Sequence, residues 1–327
     1  MTAVRDRPDR LVLELLHDRM LLRVVEAADA LGLFERLSGP AATVDEVARD
    51  LPGDPDLVDW ILETLVAAGF VLTTPSGVHA ALSGPLLDLV RAGRGDDESW
   101  RGLASWTKGS APARASMQPD YFRRAFLAGV PDSFSTKMAA VSATLVPGLL
   151  RYDWEGHRHL LDLGGGAGVI AGALCDAYPR LSATVLELPA VVDSTTRCGQ
   201  ASDRVRYCKG DFFVDALPSA DVCLLAHVLV NLQPSDAERL LSRVAEQLPG
   251  ATLVVVDPMI DAESRWQSHV MSLNAALRRV AGHHSADSYR EWLAGAGYEV
   301  QTEWRLDSYS VDRCLVAAPR RQNRGSP

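Results

Sequence analysis

No stretch of the 327-residue chain approaches the apolar length that a bilayer-spanning helix needs. Its first residues, Met1-Thr2-Ala3-Val4-Arg5-Asp6, lack the basic and apolar regions of a signal peptide. A cytoplasmic location without membrane contact is therefore expected. Cysteine is scarce: Cys175, Cys198, Cys208, Cys223 and Cys314 show no C-x-x-C spacing. That pattern suggests neither a zinc site nor a disulfide framework, so reduced, buried thiols and no metal are expected. Basic charge is in deficit, with a formal net charge of −9, which argues against a general polyanion binder. Internal repeats are absent, and the low-complexity tail at 320–327 is expected to be disordered.

What is present centres on Leu160-Leu161-Asp162-Leu163-Gly164-Gly165-Gly166-Ala167-Gly168-Val169-Ile170. A short apolar run ends in glycines and passes into Ala171-Gly172-Ala173-Leu174-Cys175, which predicts a strand, a tight turn and a helix. A dinucleotide fingerprint needs glycine at the first, third and sixth positions, and counting from Gly164 the sixth is Val169. What stands instead is an acid followed by glycine at every second position: Asp162, Gly164, Gly166, Gly168. This resembles the first motif of class I methyltransferases, which bind S-adenosylmethionine (SAM), a ligand without phosphates. Glycines let the chain approach the amino-acid part of that cofactor, and Asp162 is placed to organise the turn or to meet its ammonium.

The length predicts two domains, or one with a long appendage. A helical pattern runs from about Asp9 to Leu37, and Thr43 and Glu46 have capping-box spacing. The segment 54–69 has proline at its start and glycine at its end, and a hairpin turns at Pro75-Ser76-Gly77. Helices followed by a hairpin predict a winged helix. Residues 1–95 carry 9 Arg and no Lys against 15 acidic residues, a balance of −6. The candidate recognition helix offers Asp56, Asp59 and Glu63 and no base, so it repels phosphates, and a dimerisation module is the better reading.

Residues 96–155 read as a helical connector with Trp100, Trp106, Phe122 and Phe126, able to wall an apolar pocket. Within it Phe134, Met138 and Ser142 are expected to face the substrate. After the glycine turn, strand and helix alternate, which predicts a doubly wound, mostly parallel sheet of Rossmann-like type over 156–319. The second strand ends at Glu187, 19 residues beyond Gly168, where a carboxylate can accept both ribose hydroxyls. A third strand, 205–213, ends in Gly210-Asp211-Phe212-Phe213, offering an acid for an adenine amino group and an aromatic ring to stack on it. Asp221–Leu229 and Ala251–Asp257 complete the parallel set, and segments near Tyr298 and Cys314 close it.

Together these residues resemble the dimeric small-molecule O-methyltransferases, including plant caffeate and flavonoid enzymes and relatives in bacterial polyketide pathways. The resemblance rests on 161–168, on Glu187-Leu188-Pro189, on 210–213 and on Ala226-His227-Val228-Leu229-Val230-Asn231-Leu232. It implies a class I methyltransferase domain preceded by an α-rich winged-helix dimerisation domain. It also implies an obligate homodimer acting on an aromatic or polyketide-like small molecule. SAM or its product S-adenosylhomocysteine (SAH) is then held by Asp162, Gly164, Gly165, Gly166, Gly168, Glu187, Leu188, Gly210, Asp211 and Phe212, with Ala226 and His227 beside the methyl group.

The resemblance breaks at the acceptor. The family's catalytic histidine is Val230 here, Asn231 follows it, and Leu232 replaces a tryptophan. The family's Glu-Arg-Thr signature is His283-His284-Ser285. Two readings follow. In one, the enzyme methylates an acidic hydroxyl by proximity, or with His283, and secondarily His284, as a relocated base. In the other, a SAM-bound protein hydroxylates, decarboxylates or catalyses a pericyclic step without methyl transfer.

Overall fold

The computed structural model describes residues 8–40, 42–52, 54–81, 84–93, 132–195, 202–260, 284–308 and 312–320. The chain divides into two compact units, Met1–Arg94 and Gly95–Pro327.

The first unit comprises α1 (Pro8–Ala30), α2 (Leu33–Leu37), α3 (Val44–Asp50), α4 (Pro55–Ala67), the hairpin β1 (Val71–Thr74) and β2 (Gly77–Ala80), and α5 (Pro85–Gly93). The expected single helix from Asp9 to Leu37 is two helices, because Gly32 turns left-handed at φ 77° between them. That bend sends Leu33, Phe34 and Leu37 into a core shared with Val47, Leu62, Leu65, Val71 and Val78. The Thr43–Glu46 capping box forms in both directions, with Thr43 N donating to Glu46 Oε2 at 2.8 Å and Glu46 N to Thr43 Oγ1 at 3.3 Å. The hairpin packs so closely that a Cβ on Gly77 would stand 2.4 Å from the Ala42 carbonyl oxygen.

The second unit opens with α6 (Asp132–Leu149) and continues through β3 (His159–Leu163), α7 (Val169–Ala177), β4 (Ser182–Glu187), α8 (Pro189–Thr195), β5 (Val205–Lys209) and β6 (Val222–Ala226). A short 3₁₀ turn, Leu229–Asn231, leads to α9 (Pro234–Gln247), β7 (Thr252–Asp257), α10 (Ala286–Gly295), β8 (Tyr298–Arg305) and β9 (Arg313–Pro319). The sheet order is β5-β4-β3-β6-β7-β9-β8; β9 runs antiparallel to β7 and β8, and the other pairings are parallel. Alternate residues of each central strand feed opposite cores. Leu161, Cys223 and Leu253 face one, with α9 and α10, while Leu160, Val222 and Val254 face the other, with α6 and α7.

Two strands end earlier than the sequence pattern predicts. β5 stops at Lys209, so Gly210 to Phe213 leaves the sheet as a turn, and β6 stops at Ala226 because His227 adopts φ 56°. Strand order reverses between the parallel neighbours β3 and β6, with β4 and β5 laid down to one side and β7 to the other; this is the switch point at which open α/β sheets bind ligands beyond the carboxyl ends of their strands. Among the described residues no helix is long and apolar enough to cross a membrane, and no group of metal-ligating side chains is assembled.

Candidate active site

At the switch point, the end of β3 lifts into the glycine turn. Asp162, 1% exposed, lies beneath it with neither carboxylate oxygen hydrogen-bonded among the described residues. Burial, and secondarily the nearby Glu187 charge, pushes its carboxyl up to about 7, so it is part-protonated at neutral pH. A Cβ on Gly165 would fall 2.3 Å from Asp162 Oδ2, so a larger residue there would displace the acid. Gly164, Gly166 and Gly168 all have positive φ, which other residues adopt at a cost. Gly168 is further confined by the Tyr207 hydroxyl, which would stand 2.6 Å from its Cβ and which donates to the Ala167 carbonyl at 2.7 Å.

Three side chains converge on Gly164. A Cβ there would lie 3.0 Å from Val228 Cγ2, 3.7 Å from Phe212 Cε1 and 4.0 Å from Glu187 Oε1. Glu187 accepts from Gly166 N at 3.2 Å and from Leu188 N at 2.8 Å, and burial raises its pKa while these two bonds lower it. The Cβ position of Gly166, by contrast, meets nothing within 4 Å. The strand ends therefore surround an open backbone with two carboxylates and an aromatic ring, a set suited to a ligand with a cationic end and hydroxyl groups. Asp211 Oδ1 accepts from Phe213 N at 2.9 Å, a local turn bond, and Gly210 is buried beside Leu186 and Asp215.

Beyond β6 the chain is pinned at several points. His227 N donates to Val256 O at 2.8 Å, and its Nε2 lies 2.7 Å from Oδ1 of the fully buried Asp312. The Asp312 charge raises the His227 pKa although burial opposes it. Asn231 Nδ2 donates to His227 O at 2.7 Å, so this amide is spent within the turn. Val230 is buried, and its N–H donates to Asp257 Oδ2 at 3.3 Å. Burial pushes Asp257 up to about 8; among the described residues its other oxygen is unbonded, with the Tyr289 hydroxyl beside it but outside hydrogen-bond geometry.

The remaining sequence candidates divide. His284 lies in the second unit, its Nε2 3.4 Å from the Leu232 carbonyl and its ring edge-on to Trp292 at 4.9 Å. Because a carbonyl only accepts, Nε2 carries the proton, and any base role falls to Nδ1. Met138 and Ser142 are partly buried on α6. His283 and the Phe134 side chain lie outside the described residues, as do Trp100, Trp106, Phe122 and Phe126 of the connector. Ala226 ends β6 next to His227, whose ring is engaged by Asp312.

Sequence reasoning passed over Asp257, Asp312, Tyr207 and Val228. Asp257 stands at a strand end as Glu187 does, which is a usable signal, whereas nothing in the sequence couples His227 to a carboxylate 85 residues away.

The O-methyltransferase domain model matches residues 86–299. The chain is 30% identical to the N,N-dimethyltransferase OxyT of Streptomyces rimosus, over 90% of this chain and 92% of that one. It is 28% identical to the tetracenomycin polyketide synthesis 8-O-methyl transferase TcmO of Streptomyces glaucescens, over 84% and 87%. In structure it is similar to human N-acetylserotonin methyltransferase in complex with SAM, with TM-score 0.71, 22% identity and coverage of 98% and 100%.

Proposed function

The chain belongs to the O-methyltransferase domain family and is a SAM-dependent methyltransferase, and from that premise we propose that it methylates an acidic hydroxyl of an aromatic or polyketide-like small molecule, as a homodimer. The observation that carries the site assignment is the orphaned, buried Asp162 under an open glycine turn. Its carboxylate is the group to meet the cofactor's ammonium, Glu187 to take the ribose hydroxyls, and Phe212 to cover the adenine with Asp211 at its edge. Gly164, Gly165, Gly166 and Gly168 keep the backbone open, and Leu188 and Gly210 flank it.

When bound, SAM supplies an electrophilic methyl group on a positively charged sulfur. The protein's own contribution is placement and exclusion of water. Val230 cannot accept a proton and walls the acceptor instead, with Met138, Ser142 and Phe134 as its further walls. Losing a general base forgoes about 3 to 5 kcal/mol, the equivalent of 10²–10⁴ in rate. Good positioning supplies roughly 7 to 11 kcal/mol, which suffices for a hydroxyl already ionised near neutrality. His283, or His284 through Nδ1, is the proton acceptor for less acidic hydroxyls. The exposed apolar residues Val12, Leu16 and Met20 of α1, spaced four apart, support a self-associating face. The reading without methyl transfer is not favoured, since the relatives compared are named as methyltransferases.

The test incubates purified protein with methyl-labelled SAM and a panel of naphthols, hydroxynaphthoates, hydroxyanthraquinones and aromatic amines. Labelled oxygen methyl ethers with equal SAH support the proposal. Label on nitrogen alone, the chemistry named for OxyT, or turnover without label would overturn it.

A further inference from the structure

His227 is the one residue other than glycine with positive φ among the described residues. Strain of that kind persists only where surrounding contacts hold it, and here they hold it from three sides. The ring is bound by Asp312 at the start of β9, the backbone N–H by Val256 of β7, and the carbonyl by Asn231 of its own turn. Asp312 is in turn fixed by Ser308, whose Oγ lies 2.5 Å from Oδ2 and accepts from the Asp312 N–H at 2.9 Å. Residues 228 and 230 hang from this anchor. Val228 closes on Gly164, and Val230 is tied to Asp257.

We propose that His227 is a positioning residue: its ion pair with Asp312 clamps the 227–232 turn so that Val228 is held against the glycine turn and Val230 against the acceptor. The second half rests on the acceptor assignment above; the first does not. The clamp also responds to pH. Among the described residues the groups facing the imidazole are Asp312, just before β9, and Asp257 from β7, with the Tyr289 hydroxyl of α10 next to both acids. Protonated His227 satisfies Asp312, and protonated Asp257 adds no repulsion. Raising the pH removes the imidazolium and ionises Asp257, so two carboxylates face one another across a neutral ring and the Asp312 side of the clamp loosens.

The test uses valine-methyl and imidazole NMR on the full chain, in an Asp162→Asn background so that this acid does not contribute. Val228 and Val230 signals, assigned by substitution with Ile, are followed between about pH 5.5 and 9. Both are expected to move with the His227 ring, at a midpoint above its ordinary value. Asp312→Asn is expected to lower that midpoint, since the charge that raises it is gone. His227→Asn, which tolerates positive φ, is expected to abolish the Val228 movement, leaving Val230 to report Asp257 alone, and, in the otherwise unchanged protein, to weaken SAH binding by about tenfold at pH 7. Valines indifferent to pH, or SAH affinity unchanged by His227→Asn, would overturn the clamp. Neither readout uses an acceptor, so a protein that passes both yet methylates nothing in the panel overturns the acceptor assignment alone.

Discussion

At the scale of single residues, Asp162 and Val230 make opposite demands on pH. A cationic ligand end is favoured by ionised Asp162, whose carboxyl sits near 7, so binding releases a proton below that value. In the His227→Asn protein, which lacks the clamp's opposing response, SAH affinity measured by calorimetry is therefore expected to rise by about tenfold between pH 6 and 8, the ratio of ionised fractions on either side of a midpoint near 7. Adding Asp162→Asn to that protein should weaken binding and flatten this dependence; a slope that survives it would place the titrating group elsewhere. At Val230 the missing group can be supplied. Val230→His is expected to raise turnover of weakly acidic hydroxyls by up to about 10²-fold, with a new acid limb near the histidine pKa in the pH–rate profile, while ionised acceptors gain little.

The glycine turn works as an element rather than as a row of residues. Tyr207 reaches from β5 to hold the Ala167 carbonyl, and the same ring fills the space beside Gly168. Gly168→Ala would force a Cβ against that hydroxyl at a positive φ, and SAH affinity should fall by at least about tenfold with a lower melting temperature. Tyr207→Phe removes only the bond, so a loss of about 1 kcal/mol in stability and a smaller loss in affinity is the expected contrast. This element was legible in the sequence because a strand, a turn and a helix are local, and glycine spacing reports backbone directly. Strand ends were less legible. Val228 and Leu229 continue the apolar run of β6, yet His227 leaves the sheet, since the bonds that bend it come from β7 and from Asp312 just before β9. The clamp escaped for the same reason: Asp312 precedes an ordinary apolar strand, and only the fold brings it to β6. Asp257 was visible as a strand-end acid, but its burial was not.

For the whole molecule, the raised acids predict how stability varies with pH. Asp162 and Asp257 titrate in the folded state at about 7 and about 8, against an ordinary value of 3.8. Between those limits the native state holds protons that the unfolded chain has lost, so stability falls as pH rises from about 4 toward 8. The raised His227 acts in the same direction: its contribution is complete below 6.5 and is lost as pH rises through its folded value. The melting temperature of the ligand-free protein is expected to drop from pH 6 to pH 8.5, and Asp257→Asn to flatten the upper part of that drop; calorimetry across the range checks both. The proposed homodimer gives a separate expectation. Met20, 58% exposed on α1, becomes a charge in Met20→Glu, which should shift sedimentation from dimer to monomer while α1 remains helical by circular dichroism.

The sheet order carries one more consequence, for how the protein is made. β8 is synthesised before β9, yet among the described residues its one neighbour in the sheet is β9, which lies between it and β7. On the ribosome, β8 thus waits for its hydrogen-bonding partner until β9 has emerged, and His227 waits through 85 further residues for Asp312. The anchor of the site is set only once the residue just before β9 has left the ribosome.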